Sequence, residues 1–142
     1  MSEMVTSAVA QRCVIVVDQE LAVGRAANAA AVLALTLGQR HPELVGAPLR
    51  DADGGLHPGL IPLGITVLAA PGDTLSAVRD KALAAACDVV DFPAQGQQTT
   101  DYAAFQDAVA QSRAADLRYV GVALFGARKT LNKLLAGLSL LK

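Results

Sequence analysis

Apolar and polar positions fall along this chain in blocks, and the blocks change period in a regular order. Cys13-Val-Ile-Val-Val17 is apolar on both faces and closes on Asp18, the pattern of a central strand. A helix follows from about Ala22 or Arg25 to Gln39. On a helical wheel Arg25, Asn28, Thr36 and Gln39 share one stripe about 120° wide. The remaining positions are Ala, Val or Leu, so about two-thirds of this helix is expected to be buried, with Gly38 as its stop. His41 to Pro62 is rich in proline and reads as loop. Within it, Asp53-Gly54 between Leu49-Arg50 and Leu56 predicts a small hairpin.

Ile61 to Ala70 reads as a second strand bent at Gly64. Asp73 or Thr74 is expected to cap a helix to about Ala86, with Leu75, Val78, Ala82 and Ala86 facing inward. Asp88 to Phe92 is a third apolar strand, ended by Pro93 and followed by the polar loop Ala94 to Thr100. Thr100 is expected to cap a helix to Arg113 that is buried through Tyr102, Phe105 and Val109. Leu117 to Leu124 is a fourth strand. Gly126 then turns the chain into a last helix, about Lys129 to Ala136, with Leu131, Leu134, Leu135 and Leu138 inward. Four apolar strands interleaved with helices predict a three-layer α/β/α domain over residues 12–142, preceded by a loose tail over residues 1–11.

Composition narrows the function classes. The chain has 142 residues, a formal net charge of -1, 53% apolar residues and 18% charged ones, which fits one core-rich domain. The aromatic share is 4% with no Trp, which argues against base stacking, and no basic excess supports a nucleic-acid partner. One local cluster, Arg128, Lys129, Lys133 and Lys142, reads as a solvated helix face or as a cationic patch. Cys13 and Cys87 lie beside apolar runs and read as buried thiols. Met1 to Gln11 has no long apolar core of the secretory type, and no apolar run has the length of a membrane span, so the expectation is a cytoplasmic protein without a membrane partner.

Candidate chemistry lies at strand ends, where open α/β sheets bind ligands. Asp18 and Asp91 close two strands, and one carboxylate could act as a general base or simply pair with an arginine. Arg25 at a helix start could complete an anion site, stay exposed or form a salt bridge to Asp18 or Glu20, and Asn28 is the only polar residue between Ala26 and Leu35. Gly24 stands without the further glycines of a dinucleotide loop. Neither a phosphate-binding P-loop nor a Gly-x-Ser-x-Gly elbow occurs. Asp51-x-Asp53 lacks the twelfth-position acid of a calcium loop, where Pro62 stands, and no Cys/His group has zinc spacing. Neither a cofactor nor a metal is therefore expected.

The run Val-Val-Asp18…Gly24-Arg25…Asn28-Ala-Ala and the ending Asn132-Lys133-Leu-Leu-Ala-Gly-Leu-Ser-Leu-Leu141 resemble the two ends of the type-two peptidyl-tRNA hydrolases. The whole stretch from about Arg12 to Lys142 resembles a bacterial domain-of-unknown-function family, number two thousand, a relative of that hydrolase fold. The residues carrying this are Ala27-Asn28-Ala-Ala-Ala-Val-Leu-Ala34, His41-Pro-Glu-Leu-Val-Gly46, Asp51-Ala-Asp-Gly54, His57-Pro-Gly59, Gly126-Ala-Arg-Lys129 and Asn132-Lys133. The resemblance implies a mixed sheet of about four strands between helix layers. Three functions follow as expectations. One is a small anionic or nucleotide-like ligand bound at the strand-end rim by Asp18, Arg25, Asn28, Lys129, Asn132 and Lys133. The second is an ester or amide hydrolase using Asp91 with Thr99 or Thr100. The third is a non-enzymatic interaction protein, with a homodimer expected.

Overall fold

A computed structural model describes residues 10–142. Residues 1–9 of the expected tail lie outside the described residues, and Gln11 already belongs to the first strand. Strand β1 (Gln11–Asp18) leads into helix α1 (Val23–Arg40). A two-stranded ribbon, β2 (Leu49–Arg50) with β3 (Leu56–His57), precedes β4 (Thr66–Ala70) and α2 (Leu75–Ala84). Then come β5 (Asp88–Pro93), α3 (Tyr102–Ala110), β6 (Tyr119–Ala127), α4 (Arg128–Leu134) and β7 (Ser139–Leu140).

The main sheet has five strands in the order β5-β6-β1-β4-β7. β1 pairs with β4 in parallel, with Val14 opposite Thr66 and Asp18 opposite Ala70. β6 runs antiparallel to both β1 and β5, and β7 runs antiparallel to β4. The carboxyl ends of β1, β4 and β5 therefore share one rim, while β6 ends at the opposite one.

The alternation of side chains along each strand splits the core into two faces. Val14, Val16, Leu124 and Val122 meet Leu75 and Ala82 of α2 and Leu131 of α4. Cys13, Ile15, Val17 and Phe125 meet Ala26, Ala29, Leu33 and Leu37 of α1. The fold is thus mixed α/β with helices against both faces of a mixed sheet.

Several local expectations needed correction. A fifth sheet strand, the two-residue β7, is too short to show a pattern. β4 begins at Thr66 rather than Ile61, because Gly64 takes a left-handed φ of 78° and the preceding residues form a turn. β6 continues to Ala127, so Gly126 lies inside the strand, where it is opposite Arg12. Gly38 does not stop α1; the helix runs to Arg40 and ends at His41, which precedes Pro42 and has φ −133° and ψ 66°. α1 buries only Ala26, Ala29, Leu33 and Leu37, because a single helix on a sheet covers one stripe however apolar its other faces are.

Helix ends also differ. Thr74 makes no capping bond; its hydroxyl donates to Pro71 O at 2.6 Å, and Ala86 lies beyond α2 at φ 65°. Asp101, not Thr100, caps α3 by accepting the Ala104 N–H at 2.8 Å. α3 ends at Ala110 and Tyr102 is 71% exposed, not buried. The Asp53-Gly54 hairpin formed as expected, with Gly54 at φ 84°.

Candidate functional site

The residues singled out in the sequence divide between two rims. Asp18, Arg25, Asn28 and the loop carrying Thr99 and Thr100 lie at the carboxyl ends of β1 and β5. Lys129, Asn132 and Lys133 lie on α4, which starts from the end of the antiparallel β6 and so belongs to the opposite rim. Strand direction, which hydrophobic pattern does not encode, separates them.

At the first rim several polar groups bond one another, while the buried Gln95 and Gln97 Oε1 atoms have no hydrogen-bond partner among the described residues. The Asp18 carboxylate accepts the Glu20 N–H at 2.9 Å and lies against Gly72. The Gln97 amide donates to the Arg25 carbonyl at 2.8 Å and to Asn28 Oδ1 at 3.1 Å, tying the loop to the start of α1. Arg25 forms no ion pair with Asp18 or Glu20 among the described residues. Thr99 donates to Gln95 O at 2.9 Å, and Thr99 and Thr100 border a shallow cleft beside Phe105. Asp91 points to the other face of the sheet. There Arg79 Nε donates to its Oδ2 at 2.6 Å, and the Arg79 guanidinium lies 5.7 Å from the centre of the Tyr119 ring. Asp91 and the two threonines therefore address different faces.

The opposite rim holds a polar cleft of about 360 Å³ between the start of β1, the turn before β4 and the start of α4. Gln11, Arg12, Arg128, Asn132 and Thr66 supply its polar lining, and among the described residues no carboxylate side chain lines it. Register explains the convergence: Gln11 is opposite Ala127 and Arg12 opposite Gly126, so Arg12 and Arg128 leave adjacent strand ends. Arg12 Nη1 donates to Asn132 Oδ1 at 2.7 Å, which orients the asparagine; among the described residues no other side chain bonds the guanidinium. Arg128 and Asn132 stand four apart on one helix face, while Lys129 and Lys133 form the next, exposed face. Those two lysines add positive potential without lining the cleft. Arg12 escaped the sequence reading because nothing local marks it; only its pairing with β6 gives it a role.

A second missed cluster lies near the start of β5. Arg40 donates to both Asp88 oxygens, at 2.9 and 2.7 Å, and His41 Nε2 is 2.6 Å from Asp88 Oδ2 with its ring 4.7 Å from the Phe125 ring. The Arg40 bonds, with help from His41, hold the Asp88 carboxyl down at about 2. A depressed carboxylate stabilises the fold fully above its unfolded value of 3.8 and loses that contribution as pH falls through about 2. Because Arg40 is half exposed, screening reduces the gain to about 1 kcal/mol. Asp88→Asn is expected to lower stability by about that much at neutral pH. Urea melts should show the gap to wild type closing as pH falls through the interval between 3.8 and about 2; a gap independent of pH contradicts the assignment.

Both thiols are buried as expected. Burial pushes Cys13 up to about 11 and raises Cys87, so neither is a nucleophile at neutral pH. Among the described residues no group of His, Cys, Asp and Glu has the arrangement of a metal site, and no helix is long and apolar enough to cross a membrane.

Comparison with known proteins agrees with this architecture. The sequence profile of the family described as "Protein of unknown function (DUF2000)" matches residues 11–142, and the chain belongs to that family. No curated protein matches. A solved structure of a protein of unknown function, Atu0240 from Agrobacterium tumefaciens strain C58, is similar in fold at a TM-score of 0.83 and 23% identity. The match covers 92% of this chain and 96% of that one.

Proposed function

We propose that this member of the DUF2000 family binds a small anionic ligand, and that it does so in the cleft of Arg12, Arg128 and Asn132. The observation that carries the reading is the presence of two guanidinium groups and an asparagine amide in one cleft, where the described residues place no carboxylate in the lining. Arginine presents a planar fork of donors suited to carboxylate or phosphate oxygens, and two such forks exceed what one solvated side chain offers. Lys129 and Lys133 on the adjoining face of α4 would draw anions toward the cleft and weaken in effect as salt rises. The net charge of -1 and the 4% aromatic content continue to favour a small ligand over nucleic acid.

Helices against both faces of the sheet support the three-layer, peptidyl-tRNA-hydrolase-II-like description of the fold. The hydrolase alternative would use Asp91 with Thr99 or Thr100 and requires the 2.6 Å Arg79–Asp91 bond to open. The homodimer is supported by an apolar, uncovered side of α1, where Val23 is 87% and Leu35 79% exposed. A monomer mass by light scattering would reject it.

A thermal-shift series at low salt tests the ligand class. Phosphate, pyrophosphate, a nucleoside diphosphate and a dicarboxylate are each titrated against a chloride control. At about a hundred times its dissociation constant a ligand of the native state adds about 2.7 kcal/mol of apparent stability. At least one anion is expected to raise the melting temperature by several degrees; equal melting in all of them contradicts the proposal.

A further inference from the structure

A second cavity among the described residues has chemistry opposite to that of the cationic cleft. It is a groove of about 500 Å³ between α1, the edge strand β5 and α3. Val90 and Phe92 form its floor, Val32 and Leu33 one wall, and Phe105 and Val109 the other. The groove is built into the fold rather than left by a loose surface. Gly96 lets the loop after β5 lie directly on the Phe92 and Phe105 rings; a β-carbon there would stand 2.9 Å from Phe105 Cζ and closer still to Phe92. That contact fixes where α3 begins, with the Phe92 and Phe105 ring centres 6.3 Å apart. α3 has no buried residue, so it stands beside α1 without closing on it.

Two features define what the groove can hold. Among the described residues no cationic side chain lines it, and the one acidic lining residue, Asp91, directs its carboxylate to the opposite face of the sheet, onto Arg79. A charged ligand would lose its hydration here without a partner, so the occupant is neutral. The Phe105 ring meets Phe92 at a 48° tilt and Tyr102 edge-on at 84°, a wall of angled rings that favours a flat ring placed offset or edge-on. Thr36 and Gln106 at the border supply a hydroxyl and an amide to orient it. A mostly apolar groove of this volume with a few polar groups is of the kind that takes small organic ligands.

We propose that this groove is a second ligand site, for a neutral, ring-bearing small molecule, separate from the anion cleft. The test uses the whole protein and a neutral fluorophore, N-phenyl-naphthylamine. Its emission is expected to rise to saturation at one site per chain, unaffected by phosphate. Val32→Arg places a charge at a wall position that is 41% exposed, and Ala110→Trp fills the groove from α3. Each is expected to raise the dissociation constant at least tenfold, while Leu83→Arg at an exposed position of α2, on the other side of the sheet, leaves it unchanged. Circular dichroism confirms the fold of every variant. The proposal is overturned by the absence of saturation, by undiminished binding in both groove variants, or by emission that follows a dimer–monomer equilibrium and so marks the groove as an interface between copies.

Discussion

Leu33→Ala is expected to destabilise the protein by about 3 kcal/mol, a large share of the 5–15 kcal/mol typical of a domain. Leu33 is 1% exposed and is one of only four residues by which α1 is buried against the sheet. Two of the others, Ala26 and Ala29, have little side chain to bury, so Leu33 and Leu37 carry most of the helix's apolar contact. The sheet cannot close the resulting space. Opposite Leu33 lies Gly121, where a β-carbon would already stand 3.0 Å from Leu33 Cδ1 and 3.1 Å from the Val16 carbonyl oxygen, so main chain forms the far wall. Leu35→Ala, two residues along the same helix, removes a side chain that is 79% exposed and should change stability by less than about 0.5 kcal/mol. Urea unfolding measures both. The Leu33 variant is expected to shift the midpoint with an unchanged slope. Similar midpoints for the two variants would mean that α1 does not pack as described.

This pair also shows where the sequence was legible. The run Cys13–Val17 announces itself as a strand because burial on both faces makes every position apolar. In α1 nearly every position is also apolar, so the pattern cannot say which stripe meets the sheet. The four polar residues correctly marked one exposed side, but Val23, Ala27, Ala31, Val32 and Leu35 are exposed as well. The hairpin at Asp53-Gly54 was readable because one glycine conformation specifies it. By contrast, β7 consists of two residues and depends on pairing with β4.

The candidate site was legible only in part, and for one main reason. Lys129, Asn132 and Lys133 were grouped with Asp18, Arg25 and Asn28 at one strand-end rim, yet strand direction decides which rim each strand end occupies. Antiparallel β6 carries them away from Asp18, Arg25 and Asn28 and toward Arg12. Arg12 stands at the edge of an expected tail, and no motif there distinguishes it. Gln97, which binds Asn28 and the Arg25 carbonyl, was visible as part of a polar loop, but its partners are 69 and 72 residues away. Long-range register made both assignments.

Removing both guanidinium groups is the second large effect expected. Each charge-assisted hydrogen bond to an anion contributes about 1.5–3 kcal/mol. Arg12→Ala with Arg128→Ala should therefore weaken anion binding at least about 100-fold, equivalent to about 3 kcal/mol. Arg128 is exposed and Arg12 half-buried, and the described contacts of the two side chains involve no core residue, so the double variant should remain folded. Lys129→Ala with Lys133→Ala serves as the contrast. Those side chains lie on the next face of α4, so their loss should reduce affinity only severalfold and flatten its salt dependence.

Calorimetric titration of pyrophosphate into the wild-type protein and into the double arginine variant, at low salt and neutral pH, tests the central claim most directly. Saturable one-site binding to the wild type is expected, lost in the variant, with its melting temperature unchanged in the absence of ligand. Equal heats in the two proteins, or no binding to the wild type, would contradict it.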